Sequence, residues 1–344
     1  MNPVSLQSRG PARREFLVGT AAALLAGTLA GVPGIAAAQA DRLPSWNEGE
    51  AKEAILSFAQ RVGRAGSSDF VPESERIAVF DNDGTLWSEQ PFYFQLAFAL
   101  DRIRSLAGAD RSLASREPYA SALSGDPKRI AALGESGLLN LVGLSHGGVS
   151  TEAFEQEVLA WLKTARHPRF DRPYTELVFQ PMLELLAYLR GSGFKIFIVS
   201  GGGVDFLRPW AEEVYGIPRE QIVGSSLRSV FRLNGDRTEI YKLPELEFID
   251  DGPGKPVGIH RFIGRRPIFA AGNSDGDLEM LQWTTLADGA RFGLIVHHTD
   301  AEREWAYDRE SSVGRLSRAL DEAPRRGWTV VDMKKDWKRV YPFQ

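Results

Sequence analysis

The sequence predicts an α/β fold, an open parallel sheet with helices on both faces. Three observations predict it. Short apolar runs recur along the chain, and several end in polar or glycine-rich segments. Stretches with apolar residues at helical spacing fall between them. The composition, 43% apolar with 34 glycines, is that of a globular chain with ample material for a core.

The first strand is expected at 76–81, where Ile77, Ala78, Val79 and Phe80 run into Asp81-Asn82-Asp83-Gly84-Thr85. Residues 91–177 contain no convincing strand. They carry two helical stripes instead: Phe92, Leu96, Ala99, Leu100 and Ile103, then Phe154, Val158, Trp161 and Leu162. Ser150 is a candidate cap for the second, with Glu152 in its first turn. The segment reads as a helical insertion between the first strand and the rest of the sheet.

Met182, Leu185, Leu186 and Leu189 mark the next helix, with Pro181 at its start and Gly191 and Gly193 at its end. A strand at 194–200 then ends in Gly201-Gly202-Gly203. Leu207, Trp210 and Val214 form another stripe, interrupted by Pro209. A weaker strand is expected at 221–227, strong ones at 267–272 and 292–298, and a late one at 328–333. Ligands of open parallel sheets bind at the carboxyl ends of the strands. The chemistry is therefore expected just after residues 80, 199 and 272.

At the N-terminus, Arg13 and Arg14 precede an uncharged apolar stretch running to about Ala38, and Ala38-Gln39-Ala40 offers a small-x-small cleavage site. The run is long enough for a membrane anchor. Its glycines, Pro33 and the final triplet favour export. Residues 1–40 resemble a twin-arginine signal. That resemblance implies a bacterial protein carried by the twin-arginine translocation machinery to the periplasm or beyond, with no stable membrane span after cleavage. Residues 41–344 would be the working chain, with 38 basic and 44 acidic residues and a net charge of −6. Such a balance argues against a broad basic face, so no nucleic-acid partner is expected. The absence of cysteine excludes disulfides, thiolate metal sites, iron–sulfur clusters and cysteine nucleophiles together.

Asp81 and Asp83, two residues apart at a strand end, repel each other. A metal ion or a shared proton would relieve that repulsion. Gly84 allows close backbone approach to a ligand. The calcium-loop spacing Asp-x-Asp-x-Asp-Gly is absent. Gly201 to Gly203 are followed by Phe206 where a dinucleotide fingerprint needs glycine. His297 and His298 are adjacent, so on a strand they point to opposite faces and make a poor zinc pair.

Asp81-Asn82-Asp83-Gly84-Thr85, Ser200-Gly201-Gly202, Lys255 and Gly272-Asn273-Ser274-Asp275-Gly276-Asp277 occur in that order, each at or beyond a strand end or, for Lys255, at a helix start. In this combination the chain, from about residue 76 to 298, resembles the haloacid dehalogenase superfamily, specifically its phosphoserine-phosphatase-like branch. The resemblance implies a discontinuous Rossmann-like core (41–90 and 178–344) with an inserted helical cap (91–177).

It also implies roles. Asp81 would attack phosphorus and form an aspartyl-phosphate. Asp83 would act as general acid and then general base. Lys255 would supply positive charge, with Lys242 as a rival for that role. Thr85, Ser200 and Gly201 would hold phosphoryl oxygens. Glu89, eight residues after Asp81, does not match the family's offset and is carried as a separate candidate for reading the leaving group, the alternative being a solvated face or a helix-start charge before Pro91. Mg²⁺ would be held by Asp81, Asp83, Asn273 and Asp277. Asn273 stands where the family usually has an acid, so an amide oxygen replaces a charged ligand. The direct ligand among Asn273, Asp275 and Asp277 stays open, Asp277 being also a candidate to orient Lys255.

The expected activity is hydrolysis of a small phosphomonoester. Phosphoryl transfer to another acceptor, or non-catalytic binding of a phosphoester, are the alternatives. Dehalogenation is disfavoured, because by the resemblance dehalogenases lack the second aspartate.

Overall fold

Alternate residues of the central strands are apolar on both sides, which drives a sheet to bury both faces. A computed structural model describes residues 41–344, apart from the side chains at 127, 131, 135, 136, 138 and 139. The signal expected at 1–40 lies outside the described residues.

Seven strands form one sheet: β1 (Ile77–Phe80), β2 (Lys195–Gly203), β3 (Ile222–Asn234), β4 (Arg237–Phe248), β5 (Phe269–Gly272), β6 (Phe292–His297) and β7 (Thr329–Asp332). Their order is β4-β3-β2-β1-β5-β6-β7. All neighbours are parallel except β3 and β4. The register sets Phe80 beside Ile198 on one side and Ala271 on the other. The strand ends of β1, β2 and β5 therefore lie together.

Successive residues of these strands enter opposite cores. Ala78, Phe80, Ile196, Ile198, Phe269 and Ala271 face one cluster. Ile77, Val79, Phe197, Val199 and Ala270 face the other. The first cluster is covered by α1 (Glu50–Gly63), by α7 (Gln180–Gly191) and by α8 (Val204–Tyr215). The second is covered by α10 (Leu278–Thr285) and α11 (Arg318–Arg326). Pro209 lies within α8 without ending it. Val204, Phe206, Leu207, Trp210, Ala211 and Tyr215 give that helix a buried face wide enough to outweigh the lost hydrogen bond.

Between β1 and β2 come α2 (Phe94–Ala109), α3 (Tyr119–Leu123), α4 (Pro127–Ala131), α5 (Gly134–His146) and α6 (Thr151–Thr164). The Ser150 hydroxyl accepts from the Ala153 N–H and caps α6. A short helix, α9 (Gly254–Gly258), precedes β5, and α12 (Met333–Asp336) follows β7. Residues 41–344 form one compact unit. Among the described residues, no helix is long and apolar enough to cross a membrane.

The structure departs from the sequence reading at the sheet edge. The strand expected at 221–227 runs on to Asn234, and a further strand, β4, returns antiparallel to it. Asn234 pairs with Arg237, so Gly235 and Asp236 make a two-residue turn, with Gly235 at positive φ. The hairpin is largely exposed on both faces, including Phe231 and Leu233, so it lacks the burial that produces a clear apolar pattern. The tail after 299 packs into the first cluster through Trp337, Val340 and Tyr341.

Phe58 of α1 is 1% exposed and packs its ring 5.1 Å from Phe292, 6.2 Å from Phe269 and 6.3 Å from Phe194. Phe58→Ala should lower unfolding stability by about 3–5 kcal/mol, read from urea melts with far-UV circular dichroism.

Candidate active site

The apolar run of β1 ends at Phe80, and the chain turns at once into Asp81-Asn82-Asp83-Gly84. Asn82 fixes this loop: its backbone carbonyl accepts from the N–H groups of Thr85, Leu86 and Trp87, and its side-chain oxygen accepts from the Tyr215 hydroxyl at 3.0 Å. Gly84 has φ +76°, and a Cβ there would collide with Asn273 and Glu89. The loop thus needs glycine on both conformational and steric grounds.

Lys255 enters from α9 and is buried. Its Nζ donates to Asp81 Oδ1 and to Asp277 Oδ1, both at 2.6 Å. The other oxygen of Asp277 accepts from the N–H groups of Asn273 at 2.9 Å and Ser274 at 3.0 Å, and from the Ser274 hydroxyl at 3.3 Å. Both Asp277 oxygens are therefore engaged. Of the two roles expected of Asp277, the contact with Lys255 is the one these hydrogen bonds make. Asp275 is turned away, accepting from the N–H groups of Ser317 and Ala319, both at 3.0 Å. Lys242 is also elsewhere, paired with Asp205 at 2.8 Å and over the Phe154 ring.

Thr85 does not face the cavity. It is fully buried, and its hydroxyl bridges Asp81 Oδ2 at 3.3 Å and Asn273 Oδ1 at 3.1 Å. The Asp81 carboxylate and the Asn273 amide compete for its single proton. The Ser200 hydroxyl accepts from the Gly202 N–H at 3.0 Å and keeps its own proton to donate. Asp83 accepts from the Trp87 indole N–H at 2.9 Å. Glu89 is buried, and its Oε1 accepts from Asn273 Nδ2 at 2.7 Å and from the Tyr307 hydroxyl at 2.8 Å. His298 bridges Glu304 and the Gly84 carbonyl, away from His297, which meets Asp308.

These groups surround a cavity of about 260 Å³. Of the residues singled out in the sequence, Asp81, Asp83, Glu89, Gly201, Gly202 and Lys255 line it. Sequence reasoning missed Tyr93, Gln95, Leu96, Val142, Ile249 and Asp251, which also line it. Gln95 holds the glycine loop, accepting from the Gly203 N–H at 2.7 Å. Asp251 packs between Gly201 and Gly276. The acidic pair Asp250-Asp251 just before Lys255 was a readable signal for it; Leu96 and Val142 gave none beyond helical core spacing. The larger clefts, of about 700 and 590 Å³, open beside Arg190 and Gly193 at the other ends of the strands, away from these carboxylates.

The electrostatics follow from burial. Four carboxylates and one cation line the cavity. Burial, then the charge of Asp277, pushes Asp81 well above the usual carboxylate range, with Lys255 pulling against them. Burial pushes Asp83 up to about 6, opposed first by the Trp87 hydrogen bond. Burial also holds Glu89 well above the usual range. For Lys255, burial opposes the charged form, but Asp277, Asp81 and Asp251 outweigh it and hold the ammonium above the ordinary lysine value. Among the described residues, no three Asp, Glu, His or Cys side chains converge on one point as metal ligands. The oxygens available beside Asp81 and Asp83 include the amide of Asn273.

A doubly covered, mostly parallel sheet with a carboxylate–lysine cluster at its central strand ends is an α/β protein with a candidate catalytic site. The chain matches the family model of the haloacid dehalogenase-like hydrolases over residues 78–282, and it belongs to that family. No protein of curated function matches it. Among solved structures, a conserved protein of unknown function from Anaerococcus prevotii is 16% identical, with a TM-score of 0.52 over 83% of this chain and 91% of that one. A protein of unknown function from Bordetella pertussis is 15% identical, with a TM-score of 0.48 over 75% of this chain and 99% of that one. A phosphoserine phosphohydrolase-like protein from Francisella tularensis is 19% identical, with a TM-score of 0.34 over 64% of this chain and 87% of that one. The first of these likenesses concerns the fold alone.

Asp250, five residues before Lys255, is fully buried, with at most a weak contact from the Ser200 backbone. Burial pushes it up to about 8. An aspartate in the unfolded chain titrates near 3.9. Between those values the folded form holds a proton that the unfolded form has lost, so stability falls as pH rises through the interval. Asp250→Asn removes this titration. Urea midpoints should show the variant gaining on the wild type between about pH 5 and about pH 8; a constant gap contradicts the assignment.

Proposed function

We propose that this hydrolase is an exported, Mg²⁺-dependent phosphomonoesterase acting on a small organic phosphate through an aspartyl-phosphate. The observation that carries the reading is the contact of Lys255 with Asp81 at a carboxylate-rich cavity. The paired arginines and the cleavage-like triplet before Asp41 support export by the twin-arginine machinery.

In this mechanism Asp81 attacks phosphorus. Its bond to phosphorus forms as the bond to the ester oxygen breaks, and Asp83 passes its proton to the leaving alkoxide. Asp83, now ionised, takes a proton from a water molecule, which attacks the aspartyl-phosphate. Inorganic phosphate leaves and Asp81 is restored. Asp83 must hold a proton in the first half and release one in the second, and a carboxyl raised by burial to about 6 suits both. Gly201 and Gly202, near the end of β2, line the cavity; in this reading their N–H groups and the Ser200 hydroxyl receive phosphoryl oxygens. Asp277 keeps Lys255 charged and aimed at Asp81.

The residues present fit Mg²⁺. The donor set is all oxygen, from Asp81, Asp83 and the Asn273 amide, and the lining carboxylates outnumber the one lysine. When bound, the ion supplies charge that neutralises the phosphoryl oxygens. The leaving group would lie toward Tyr93, Leu96, Val142 and Ile249.

The test is an assay of the chain from residue 41 on a panel of phosphomonoesters with and without Mg²⁺. Hydrolysis should be abolished by a chelator. Asp81→Asn should lower kcat by at least ~10³-fold, as removal of a nucleophile does, and Lys255→Met by about 10²–10³-fold. Activity that survives in Asp81→Asn sinks the covalent mechanism.

A further inference from the structure

A carboxylate presents the same atom at both ends, so either can face a cation. An amide presents an oxygen at one end and an NH₂ at the other, and only the oxygen can accept. For the Asn273 oxygen to face a cation, something must therefore hold its NH₂ end away. The structure supplies it. Asn273 Nδ2 donates to Glu89 Oε1 at 2.7 Å, while Asn273 Oδ1 faces the Thr85 hydroxyl, which also reaches Asp81.

Glu89 is in turn held by the C-terminal segment. The Tyr307 hydroxyl donates to the same Oε1 at 2.8 Å. The Tyr307 ring stacks on His298 at 4.4 Å, and His298 Nε2 meets the Gly84 carbonyl at 2.8 Å. Gly314 lies against Glu89 so closely that a Cβ there would collide with Oε1, and its N–H donates to the Tyr93 hydroxyl at 3.2 Å. On the other side, a Cβ on Gly84 would collide with both partners of the Asn273–Glu89 bond. Two glycines thus bracket one hydrogen bond between residues 184 positions apart.

We propose that Glu89, clamped by Tyr307 and Gly314, is a positioning residue that locks the Asn273 amide with its oxygen turned toward Asp81, where it can serve a divalent cation. The inference rests on the phosphatase reading above. The lock works in either ionisation state of Glu89. Because Oε1 accepts two hydrogen bonds, a proton held by Glu89 sits on Oε2 and leaves Oε1 an acceptor.

The experiment is Mg²⁺ titration by calorimetry of wild type and variants, with thermal unfolding recorded alongside. Glu89→Ala should weaken Mg²⁺ binding about 10–100-fold, the effect of losing a group that orients a metal ligand. Glu89→Gln keeps an acceptor oxygen and should restore most of the affinity. Tyr307→Phe, which removes one hydroxyl from a packed ring, should fall between, and it serves if Glu89→Ala does not fold. The decisive comparison uses Asn273→Asp. A carboxylate at 273 needs no orienting, so Glu89→Ala in that background should lower affinity less than about twofold, or raise it by removing a repelling charge. A loss of equal size in both backgrounds overturns the proposal, as does unchanged Mg²⁺ affinity in Glu89→Ala. A wild-type protein that binds no Mg²⁺ and hydrolyses no phosphomonoester overturns the phosphatase reading itself, and the proposal with it.

Discussion

Everything at the candidate site depends on one buried ammonium group held between two carboxylates. Lys255 meets Asp81 and Asp277 at 2.6 Å each, inside a region from which water is largely excluded. Two carboxylates that close could not both stay ionised without it, and a lysine there would lose its charge without them. The trio also links three parts of the chain. Asp81 follows β1, Lys255 lies in the first turn of α9, and Asp277 precedes α10. Breaking the trio would leave an uncompensated buried charge, which costs more than the pair itself contributes.

The sheet exists at this point to bring those parts together. β1 lies between β2 and β5, all three parallel, with both faces buried. Their carboxyl ends deliver Asp81, Ser200 and Asn273 to one place. The helices between β1 and β2 and the C-terminal segment then close the space, through Leu96, Val142 and Tyr307. Closure lowers the local dielectric and raises the carboxyl groups of Asp83 and Glu89. The same burial that raises these groups also makes a charged partner valuable there.

The motifs Asp81–Thr85, Ser200–Gly202 and Asn273–Asp277 were legible because each is a contiguous polar or glycine-rich segment at the end of an apolar run; Lys255, a single residue at a helix start, was legible only in combination with them. The α6 cap at Ser150 was legible for the same local reason. The division of labour inside the last motif was not. Asp277 could have been read as a ligand or as a partner for Lys255, and only the atoms around each oxygen separate the two. Thr85 looked like a phosphate contact by position, yet it is turned inward by Asp81 and Asn273. The β3–β4 hairpin escaped because its exposed faces place no constraint on polarity. Tyr307 escaped because the residue it serves, Glu89, is 218 positions away.

The sequence by itself determined the fold class, the strand ends at which chemistry gathers and the residue types available there. These depend on period and composition within a few residues, which are written directly in the chain. The tertiary structure alone decided which oxygen of each side chain faces the cavity, which carboxylate serves Lys255, and that the tail reaches Glu89. Those choices depend on contacts between residues far apart in sequence, settled only when both faces of the sheet pack and their polar groups compete for the same few partners.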